Sequence, residues 1–343
     1  MKILVTGGLG YIGSHTVVEL QHSGFDVIII DNLSNASLRV LEGISAITGK
    51  TPVFEHLDLR EKSSVAGFFE KYNTIEGVIH FAAFKAVGES VQHPLMYYEN
   101  NVNTLVYVLR ELLEKNIYNF IFSSSCAVYG EATQLPVTED SPLKKPASPY
   151  GNTKQMGEAI IQELCNATPE FKCISLRYFN PIGAHASGEI GEWPLGVPQN
   201  LVPFITQTAI GLREQLLVFG DDYPTRDGTC IRDYIHVTDV AKAHVTALQR
   251  LMANKQDQNY EVFNLGSGNG TSVLEVIQRF ERISGKKLNY KITARRPGDV
   301  TAAYAATTKA NELLGWKAAH SLDEALHSAW KWEQKINTEA LPK

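Results

Sequence analysis

Residues 2–13 read KILVTGGLGYIG, in which an apolar run leads through a glycine-rich turn into a segment with helical spacing. The run predicts a buried β-strand, and Ile12–Ser23 predicts a helix. Gly7, Gly10 and Gly13 allow a tight turn and a close approach of the backbone to a pyrophosphate. That anion would sit at the unpaired N–H groups and positive dipole end of the helix. The pattern therefore predicts a dinucleotide-binding turn.

The residue after the second predicted strand narrows the choice of dinucleotide. Asp31 comes directly after the apolar run Asp26–Ile30. A carboxylate there accepts hydrogen bonds from ribose hydroxyls and repels a 2′-phosphate, which favours NAD over NADP. A structural turn followed by a helix-capping Asp is the simpler interpretation, and the strand–turn–helix context argues against it.

The N-terminal half alternates apolar runs with longer amphipathic segments. Several runs are apolar without a period of two, as in a parallel sheet covered on both faces. We predict strands at Lys2–Val5, Asp26–Ile30, Gly77–Phe81, Phe120–Ser123 and Cys173–Arg177, and helices at Ile12–Ser23, Ser63–Tyr72, Met96–Lys115 and Tyr150–Thr168. The alternation predicts an α/β fold with a doubly wound parallel sheet.

The second half no longer alternates strands and helices regularly, and this predicts a smaller lobe. After the Gly/Pro-rich loop Gly183–Pro198, we predict helices Leu201–Leu212, Ser272–Ser284 and Leu322–Ile336 and a strand Val262–Leu265. The chain has 343 residues, and a single core usually stops growing at ~250–300. We expect a dinucleotide-binding domain of residues 1–180 plus 235–266 and a C-terminal α+β substrate lobe of residues 181–234 plus 267–343.

Composition narrows the function classes. Hydrophobic residues make up 44% and charged residues 20% of the chain, as in ordinary globular proteins. The net charge is −5 without a long basic run, so nucleic acid and anionic membranes are not expected partners. No apolar stretch reaches the ~18–20 residues that cross a bilayer. The four cysteines lack metal-ligand spacing and are too few for a disulfide scaffold. We expect a reduced, cytoplasmic protein without a bound metal.

Two further motifs lie where ligands bind in such sheets. The cluster Ser123-Ser124-Ser125 ends the fifth strand, and Tyr150 opens a helix with Lys154 four residues later. Residues four apart share one helical face, so Lys154 can stand beside the Tyr150 hydroxyl or a nicotinamide ribose. An ammonium and an oxidised nicotinamide both favour phenolate, so we expect the pKa of Tyr150 to fall from ~10. Tyr150 would then be a general base, with a serine holding the substrate oxygen. Taken alone, Tyr-x-x-x-Lys occurs often by chance, and an exposed helical pair would be the better interpretation.

Two charged residues near this edge keep two interpretations each. Asp58 ends the third strand, where its carboxylate could receive the adenine amino group or cap the helix that begins near Ser63. Lys85 follows the fourth strand and could touch the nicotinamide ribose or remain a solvated loop lysine.

Longer strings along the chain carry a resemblance. They are TGGLGYIGSH at residues 6–15, KAVGES at 85–90, SSS with VYG within 123–130, RYFNP at 177–181, and DGT with RDYIHV within 227–237. Together they span nearly the whole chain. With these strings the sequence resembles the extended short-chain dehydrogenase/reductase family and, within it, the UDP-glucose (UDP-galactose) 4-epimerases.

The resemblance implies a Rossmann sheet, tightly bound NAD, and interconversion of UDP-glucose and UDP-galactose through transient oxidation at the sugar C4. It implies the catalytic residues Ser125, Tyr150 and Lys154. It implies NAD contacts at Gly7, Gly10, Tyr11, Ile12, Gly13, Asp31, Asn32, Asp58, Leu59, Phe81, Ala82, Lys85, Asn100, Tyr150, Lys154 and Tyr178. It implies UDP-sugar contacts at Lys85, Ser125, Tyr150, Asn180, Asn200, Leu201, Val218, Phe219, Arg232, Tyr234, Arg296, Asp299 and Ala303. A homodimer that pairs Met96–Lys115 and Tyr150–Thr168 across a two-fold axis is also implied; the alternative is that both helices only cover the sheet.

The arginines among these residues suit a sugar nucleotide. Arg232 and Arg296 can each grip a diphosphate with two hydrogen bonds, and Asp299 could take a ribose or sugar hydroxyl. Surface ion pairs, for instance Arg232 with Asp233, are the alternative interpretation.

Other functions of the same family remain as alternatives. A dehydratase has an acid/base carboxylate pair after the strand-5 hydroxyl residue, where this chain has Cys126 and Ala127 in place of the more usual Ala-Thr. A reductase would need exchangeable NADP, against which Asp31 argues. Ala83 replaces a glycine near the nicotinamide. A dehydratase, a decarboxylase or a non-catalytic NAD-binding regulator is the alternative to an epimerase.

Residue 303 bears on the size of the sugar. The resemblance aligns Ala303 with a tyrosine that, in epimerases restricted to unmodified hexoses, fills the space beside the C2 substituent. Alanine leaves room for an N-acetyl group, so we expect the UDP-N-acetylhexosamine pair to be accepted too. A slip of one residue in this alignment would put the ring of Tyr304 into the pocket instead.

Overall fold

The computed structural model describes residues 1–340, so the last three residues of the predicted second lobe, 341–343, lie outside the described residues. Its strands are β1 (Lys2–Thr6), β2 (Asp26–Asp31), β3 (Val53–His56), β4 (Ile75–His80), β5 (Asn119–Ser125), β6 (Lys172–Tyr178), β7 (Asn180–Ile182), β8 (Leu216–Phe219), β9 (Ile231–His236), β10 (Tyr260–Leu265), β11 (Gly270–Ser272), β12 (Tyr290–Thr293) and β13 (Ala302–Ala303). Its α-helices are α1 (Tyr11–His22), α2 (Arg39–Thr48), α3 (Lys62–Lys71), α4 (Val87–Gln92), α5 (Pro94–Tyr98), α6 (Thr104–Glu114), α7 (Pro149–Ala167), α8 (Leu201–Ala209), α9 (Val237–Met252), α10 (Val273–Ser284) and α11 (Leu322–Ala340). Within residues 1–340, none of the helices combines the length and apolar character needed to cross a membrane.

The predicted parallel sheet is confirmed. Seven strands pair in the order β10-β6-β5-β4-β1-β2-β3, all parallel. Along β1, Ile3 and Val5 belong to the core on one face, with α1, α2 and α9, whereas Leu4 belongs to the core on the other face, with α3, α6 and α7. A strand with both faces buried needs no polar alternation, which explains why the apolar runs have no period of two.

The order of the strands places a crevice at one edge of the sheet. The chain moves outward from β1 through β2 to β3, and then returns to β4 on the other side of β1. Ligands bind in open α/β sheets at the carboxyl ends of the strands where this reversal occurs. The turn after β1 touches the loop after β4 there: a Cβ on Gly7 would lie 2.8 Å from the backbone nitrogen of Ala82.

A second group of elements follows β6. Strand β9 pairs with β7, β11 and β13, and β12 pairs with β8. Helices α8, α10 and α11 enclose a separate apolar core beside them. The chain returns to the large sheet at α9 and β10, and Ala310, Leu314 and Trp316 also pack into the large core. The division into two domains by residue number stays a prediction.

The helix predicted over Met96–Lys115 is interrupted. Helix α5 ends at Tyr98, residues Glu99–Asn103 form a π-helical turn, and α6 begins at Thr104. The buried side chain of Asn101 bonds outside the helix: its amide nitrogen donates to the Phe84 carbonyl and to Thr153 Oγ1, each at 3.0 Å. This turn therefore ties the loop after β4 to helix α7, as π-helical turns at functional sites often do.

Candidate functional site

The glycine turn after β1 is built from backbone packed on backbone. Gly7 has φ +68°, and its N–H donates to the Ile30 carbonyl at 2.7 Å. A Cβ on Gly13 would lie 2.3 Å from the Gly7 carbonyl oxygen, so this close approach excludes any side chain. Gly10 begins α1 without a side-chain cap, which leaves the first N–H groups for an anion. The turn fits the pyrophosphate of a dinucleotide.

The Asp31 carboxylate stands over this turn. It accepts hydrogen bonds from the backbone N–H groups of Leu9, at 3.2 Å, and Leu33, at 2.9 Å. Burial raises the pKa of Asp31, and these two N–H groups oppose the rise. A buried carboxylate next to a phosphate-sized turn fits the ribose of a dinucleotide.

Asp58 does not cap a helix. Helix α3 begins at Lys62 with Glu61 as its cap residue. The Asp58 carboxylate instead pairs with the Arg60 guanidinium at 2.6 Å, and this hydrogen-bonded pair lowers the pKa of Asp58 to about 2. It also accepts the side-chain amide of Asn32 at 3.2 Å. The helix-capping interpretation is therefore wrong, and the adenine contact stays a prediction.

The three predicted catalytic residues come together at the crevice. Ser125 ends β5, while Tyr150 and Lys154 lie on the first turns of α7. Ser125 lies close enough to the Tyr150 hydroxyl to lower the pKa of that phenol, and Lys154 Nζ donates to the Ser123 carbonyl at 2.7 Å. All three residues are buried or nearly so, with Lys154 only 4% exposed.

The start of α7 is held against the turn that follows β5. Ser148 caps the helix by accepting the Gly151 N–H at 3.2 Å. A Cβ on Gly151 would lie 3.0 Å from the Ala127 carbonyl oxygen, so glycine allows a close approach there. This packing brings the tyrosine hydroxyl to the serine.

The expected fall in the pKa of Tyr150 depends on the oxidised nicotinamide and stays a prediction. The protein's own groups act in the other direction: burial raises the pKa of Tyr150 to about 12, although the nearby Ser125 hydroxyl lowers it in part. The Lys154 ammonium is directed to the Ser123 carbonyl, and burial lowers its own pKa to about 8. A phenolate therefore needs positive charge from a ligand as well.

The other residues predicted to contact NAD line the same edge. Tyr178 on β6 is level with Ser125 on β5, and its hydroxyl bonds to Ser123 Oγ. Asn100 is buried in the π-helical turn. The remaining side chains are Tyr11 and Ile12 at the start of α1, Leu59 in the core after β3, and Phe81 and Ala82 directly after β4.

Lys85 is in an ion pair. Its Nζ lies 3.0 Å from a carboxylate oxygen of Glu192 and 5.9 Å from the centre of the Tyr11 ring. Lys85 is therefore more than a solvated loop lysine, because its ammonium pairs with Glu192 beside the glycine turn. The ribose contact stays a prediction.

Two arginines converge on one carboxylate in the second group of elements. Arg296 bonds Asp299 through two nitrogens, at 3.1 and 2.9 Å, and Arg232 approaches the same carboxylate at 3.6 Å. Arg296 also lies over the Phe219 ring, 5.4 Å from its centre. Arg232 does not pair with Asp233, whose buried carboxylate accepts backbone N–H groups instead. Two clustered guanidiniums are suited to a diphosphate.

The remaining residues predicted to contact the UDP-sugar lie in the second group of elements. Asn180 begins β7 opposite Tyr234 of β9, and Asn200 is the cap residue of α8. Leu201 and Val218 pack into the core of the second group.

Ala303 and Tyr304 point to different neighbours. Ala303 is in register with Arg232 and, like Cys126, packs against the cluster around Tyr129. The Tyr304 ring lies against Gly270, where an added Cβ would be 2.9 Å from it. Ala303 therefore lies in the same cluster as Cys126, the residue that follows Ser125.

Sequence reasoning missed a buried charge network behind the predicted catalytic residues. Glu158 on α7 accepts hydrogen bonds from Arg177 Nε, at 2.9 Å, from Arg177 Nη2, at 2.5 Å, and from the Ser124 hydroxyl, at 2.5 Å. Arg177 donates further to the Tyr129 hydroxyl at 2.9 Å. Glu158 comes four residues after Lys154 and so shares its helical face, which is the signal that could have found it. Glu192 was missed as well, and its loop carries no comparable signal.

The chain is similar to known proteins over most of its length. Residues 3–266 match the NAD dependent epimerase/dehydratase family. The chain is 49% identical to the UDP-glucose 4-epimerase of Bacillus subtilis and 47% identical to that of Homo sapiens, with 97% of each chain covered in both cases.

Solved structures agree. A UDP-glucose 4-epimerase from Stenotrophomonas maltophila with bound NAD and formylated UDP-arabinopyranose superimposes with a TM-score of 0.94 at 45% identity, covering 99% of this chain and 100% of that chain. One from Bifidobacterium longum in complex with NAD+ and UDP gives a TM-score of 0.94 at 43% identity, covering 98% and 99%. The chain belongs to the NAD dependent epimerase/dehydratase family, in the group of the UDP-glucose 4-epimerases.

Proposed function

We propose that this protein interconverts UDP-glucose and UDP-galactose with NAD held at the glycine turn. The observation that carries the proposal is the convergence at the crevice of Ser125, at the end of β5, with Tyr150 and Lys154 on the first turns of α7, where Lys154 Nζ lies 2.7 Å from the Ser123 carbonyl. NAD, when bound, supplies the acceptor and donor of a hydride at the sugar C4. The relatives solved with NAD and formylated UDP-arabinopyranose and with NAD+ and UDP support this assignment.

The chain's own residues would bind the sugar and move its proton. Tyr150 takes the proton of the C4 hydroxyl, and Ser125 holds the oxygen through its hydroxyl. Lys154 keeps a cation near the phenol, so that with the charge of the cofactor the phenolate becomes accessible. After the 4-ketosugar rotates so that the opposite face of C4 meets the hydride donor, Tyr150 returns the proton to the C4 oxygen.

The arginine pair would anchor the nucleotide during that rotation. Arg232 and Arg296 now share Asp299, so a diphosphate would replace or join this carboxylate as their partner. An anchored diphosphate leaves the sugar free to present either face. A dehydratase is less well supported, because burial raises the pKa of the Cys126 thiol to about 11 and Ala127 has no titratable group.

The proposal extends to domain division and location. Residues 1–180 plus 235–266 would bind NAD, and residues 181–234 plus 267–343 would bind the UDP-sugar. The four cysteines are free thiols, which supports a reducing cytoplasm.

Product analysis tests the function. Purified protein is incubated with UDP-galactose without added NAD, and the nucleotide sugars are resolved by NMR. We expect the same equilibrium ratio of UDP-glucose to UDP-galactose whether the reaction starts from UDP-galactose or from UDP-glucose. Absence of turnover, or release of water or carbon dioxide, would exclude the epimerase.

Asp31→Ala tests the cofactor assignment. The purified wild-type protein should carry NAD, and the variant should carry less and discriminate less against NADP, because the carboxylate over the turn is lost. Mass spectrometry of the denatured protein measures both. Asp26→Ala is the matched control, since its exposed carboxylate pairs with Lys50 at the other end of β2. Equal NAD content in the two variants would contradict the role of Asp31.

Ala303→Tyr tests the sugar pocket. We expect the wild type to epimerise UDP-N-acetylgalactosamine as well as UDP-galactose. The tyrosine ring should abolish the first activity and spare the second, because an overpacked pocket costs about 1–3 kcal/mol or more. Ala303→Ser, which keeps the space, should behave as wild type. A wild type that turns over only UDP-galactose would show that the pocket argument is wrong.

Homodimer formation is proposed from an exposed apolar surface. Val91, Leu95 and Met156 are 48%, 79% and 38% exposed on helices α4, α5 and α7, which pack on one another. Such a patch is typical of an interface. We expect light scattering to give a dimer for the wild type and a monomer for Leu95→Glu combined with Met156→Glu. A monomeric wild type at micromolar concentration would remove the proposal.

A further inference from the structure

Glu192 accepts two side chains on one carboxylate oxygen. Its Oε1 lies 3.0 Å from Lys85 Nζ and 2.5 Å from Asn200 Nδ2. The Glu192 side chain is 11% exposed and that of Lys85 is 46% exposed, so a sheltered carboxylate receives an ammonium that reaches it from the solvent side. One carboxylate therefore joins the loop after β4 to the residue that begins α8.

The backbone of Glu192 is fixed from the other side. Its carbonyl oxygen accepts the indole N–H of Trp332, on α11, at 3.0 Å. The backbone of Gly191 packs against the Trp332 ring, since a Cβ on Gly191 would lie 2.5 Å from that ring. The carboxylate is thus held on the second group of elements and reaches across to the large sheet.

The Lys85 end of the contact lies beside the glycine turn. Lys85 Nζ is 5.9 Å from the centre of the Tyr11 ring, and Tyr11 is the first residue of α1. The Tyr11 hydroxyl donates to the Gly183 carbonyl at 2.7 Å, where the loop that carries Glu192 begins. One hydrogen bond therefore runs from the start of α1 to this loop, and Lys85 stands between the Tyr11 ring and Glu192.

We propose that Glu192 is a positioning residue that couples NAD retention to UDP-sugar binding by holding Lys85 and Asn200 on one carboxylate. The inference rests on the proposed function and on the sequence-based prediction that Lys85 contacts both ligands and Asn200 the UDP-sugar. A sugar nucleotide that orders Asn200 also orders Glu192, and Glu192 then fixes Lys85 over the bound dinucleotide. By linkage, each ligand then tightens the binding of the other by the same factor.

The test measures release of NAD from the holoenzyme with and without saturating UDP. NAD that remains bound after timed dilution and filtration gives the release rate, so the readout does not depend on turnover. In the wild type, UDP should slow release about 10-fold, within the usual range of coupling between two sites. In Glu192→Ala the slowing should fall below about 2-fold, because the shared contact is gone.

Two variants separate coupling from damage to the loop. Glu192→Gln keeps the shape of the side chain and removes the charge that attracts Lys85, so it should also lose most of the slowing. Glu189→Gln is the control: its carboxylate lies on the same loop and pairs with Lys335 instead. It should retain the wild-type slowing.

Two results would overturn the proposal: no slowing of NAD release by UDP in the wild type, or full slowing in both Glu192 variants. Failure of the epimerase function would be distinguished from either, because it would appear as absent turnover of UDP-galactose by a protein that still binds NAD and UDP.

Discussion

Tyr150→Phe should lower kcat by about 10²–10⁴-fold while leaving the affinity for UDP unchanged, since general acid–base catalysis contributes that much and binding does not need the hydroxyl. The Tyr150 side chain is part-buried and its hydroxyl lies near Ser125, so phenylalanine fills the same space and removes only the proton carrier. Turnover of UDP-galactose and calorimetric titration with UDP measure the two quantities separately.

Tyr118→Phe is the matched control for this substitution. Its hydroxyl donates to Asn116, and the residue lies just before β5, at the opposite end of that strand from Ser125. We expect wild-type kcat. A Tyr150→Phe enzyme within a few-fold of wild type would remove Tyr150 from the catalytic step.

Glu158→Gln should lower the free energy of unfolding by about 3–5 kcal/mol, because breaking a buried ion pair leaves an uncompensated charge. Arg177 and Glu158 are each 5% exposed. The amide that replaces the Glu158 carboxylate cannot neutralise the buried Arg177 guanidinium. Since whole domains are stable by only about 5–15 kcal/mol, the loss is large. Urea unfolding of the holoenzyme at fixed NAD concentration measures it.

An exposed pair provides the comparison for Glu158→Gln. Arg279 and Asp323 are 48% and 42% exposed, so Arg279→Gln should change the free energy of unfolding by about 0–1 kcal/mol. Equal effects of the two substitutions would show that the buried network adds nothing beyond surface pairing.

The large sheet was predictable because its signals are local. The apolar runs, the glycines and Asp31 each act within a few residues, and the structure has β1, α1 and β2 within one residue of the predicted bounds. Helix α9 was not predicted, although it is one of the longest helices and covers the large sheet. Its place follows from the return of the chain from β9, which is a long-range property.

The site was predictable where a motif fixes both residue type and spacing. Tyr150, Lys154 and Ser125 belong to such motifs, and the structure brings them together. The raised pKa of Tyr150 was not predictable from spacing, since burial depends on every element packed around it. Glu192 was beyond reach because its charged partner, Lys85, lies 107 residues away in sequence.

Deuterium at C4 of UDP-galactose tests transient oxidation at that carbon most directly. The holoenzyme is incubated with the labelled sugar nucleotide in ordinary water, and the UDP-glucose formed is analysed by NMR and mass spectrometry. If the C4 hydrogen leaves as a hydride and returns to the same carbon without meeting solvent, the deuterium should be retained at C4 of the product. Loss of deuterium to water during epimerisation would contradict this mechanism.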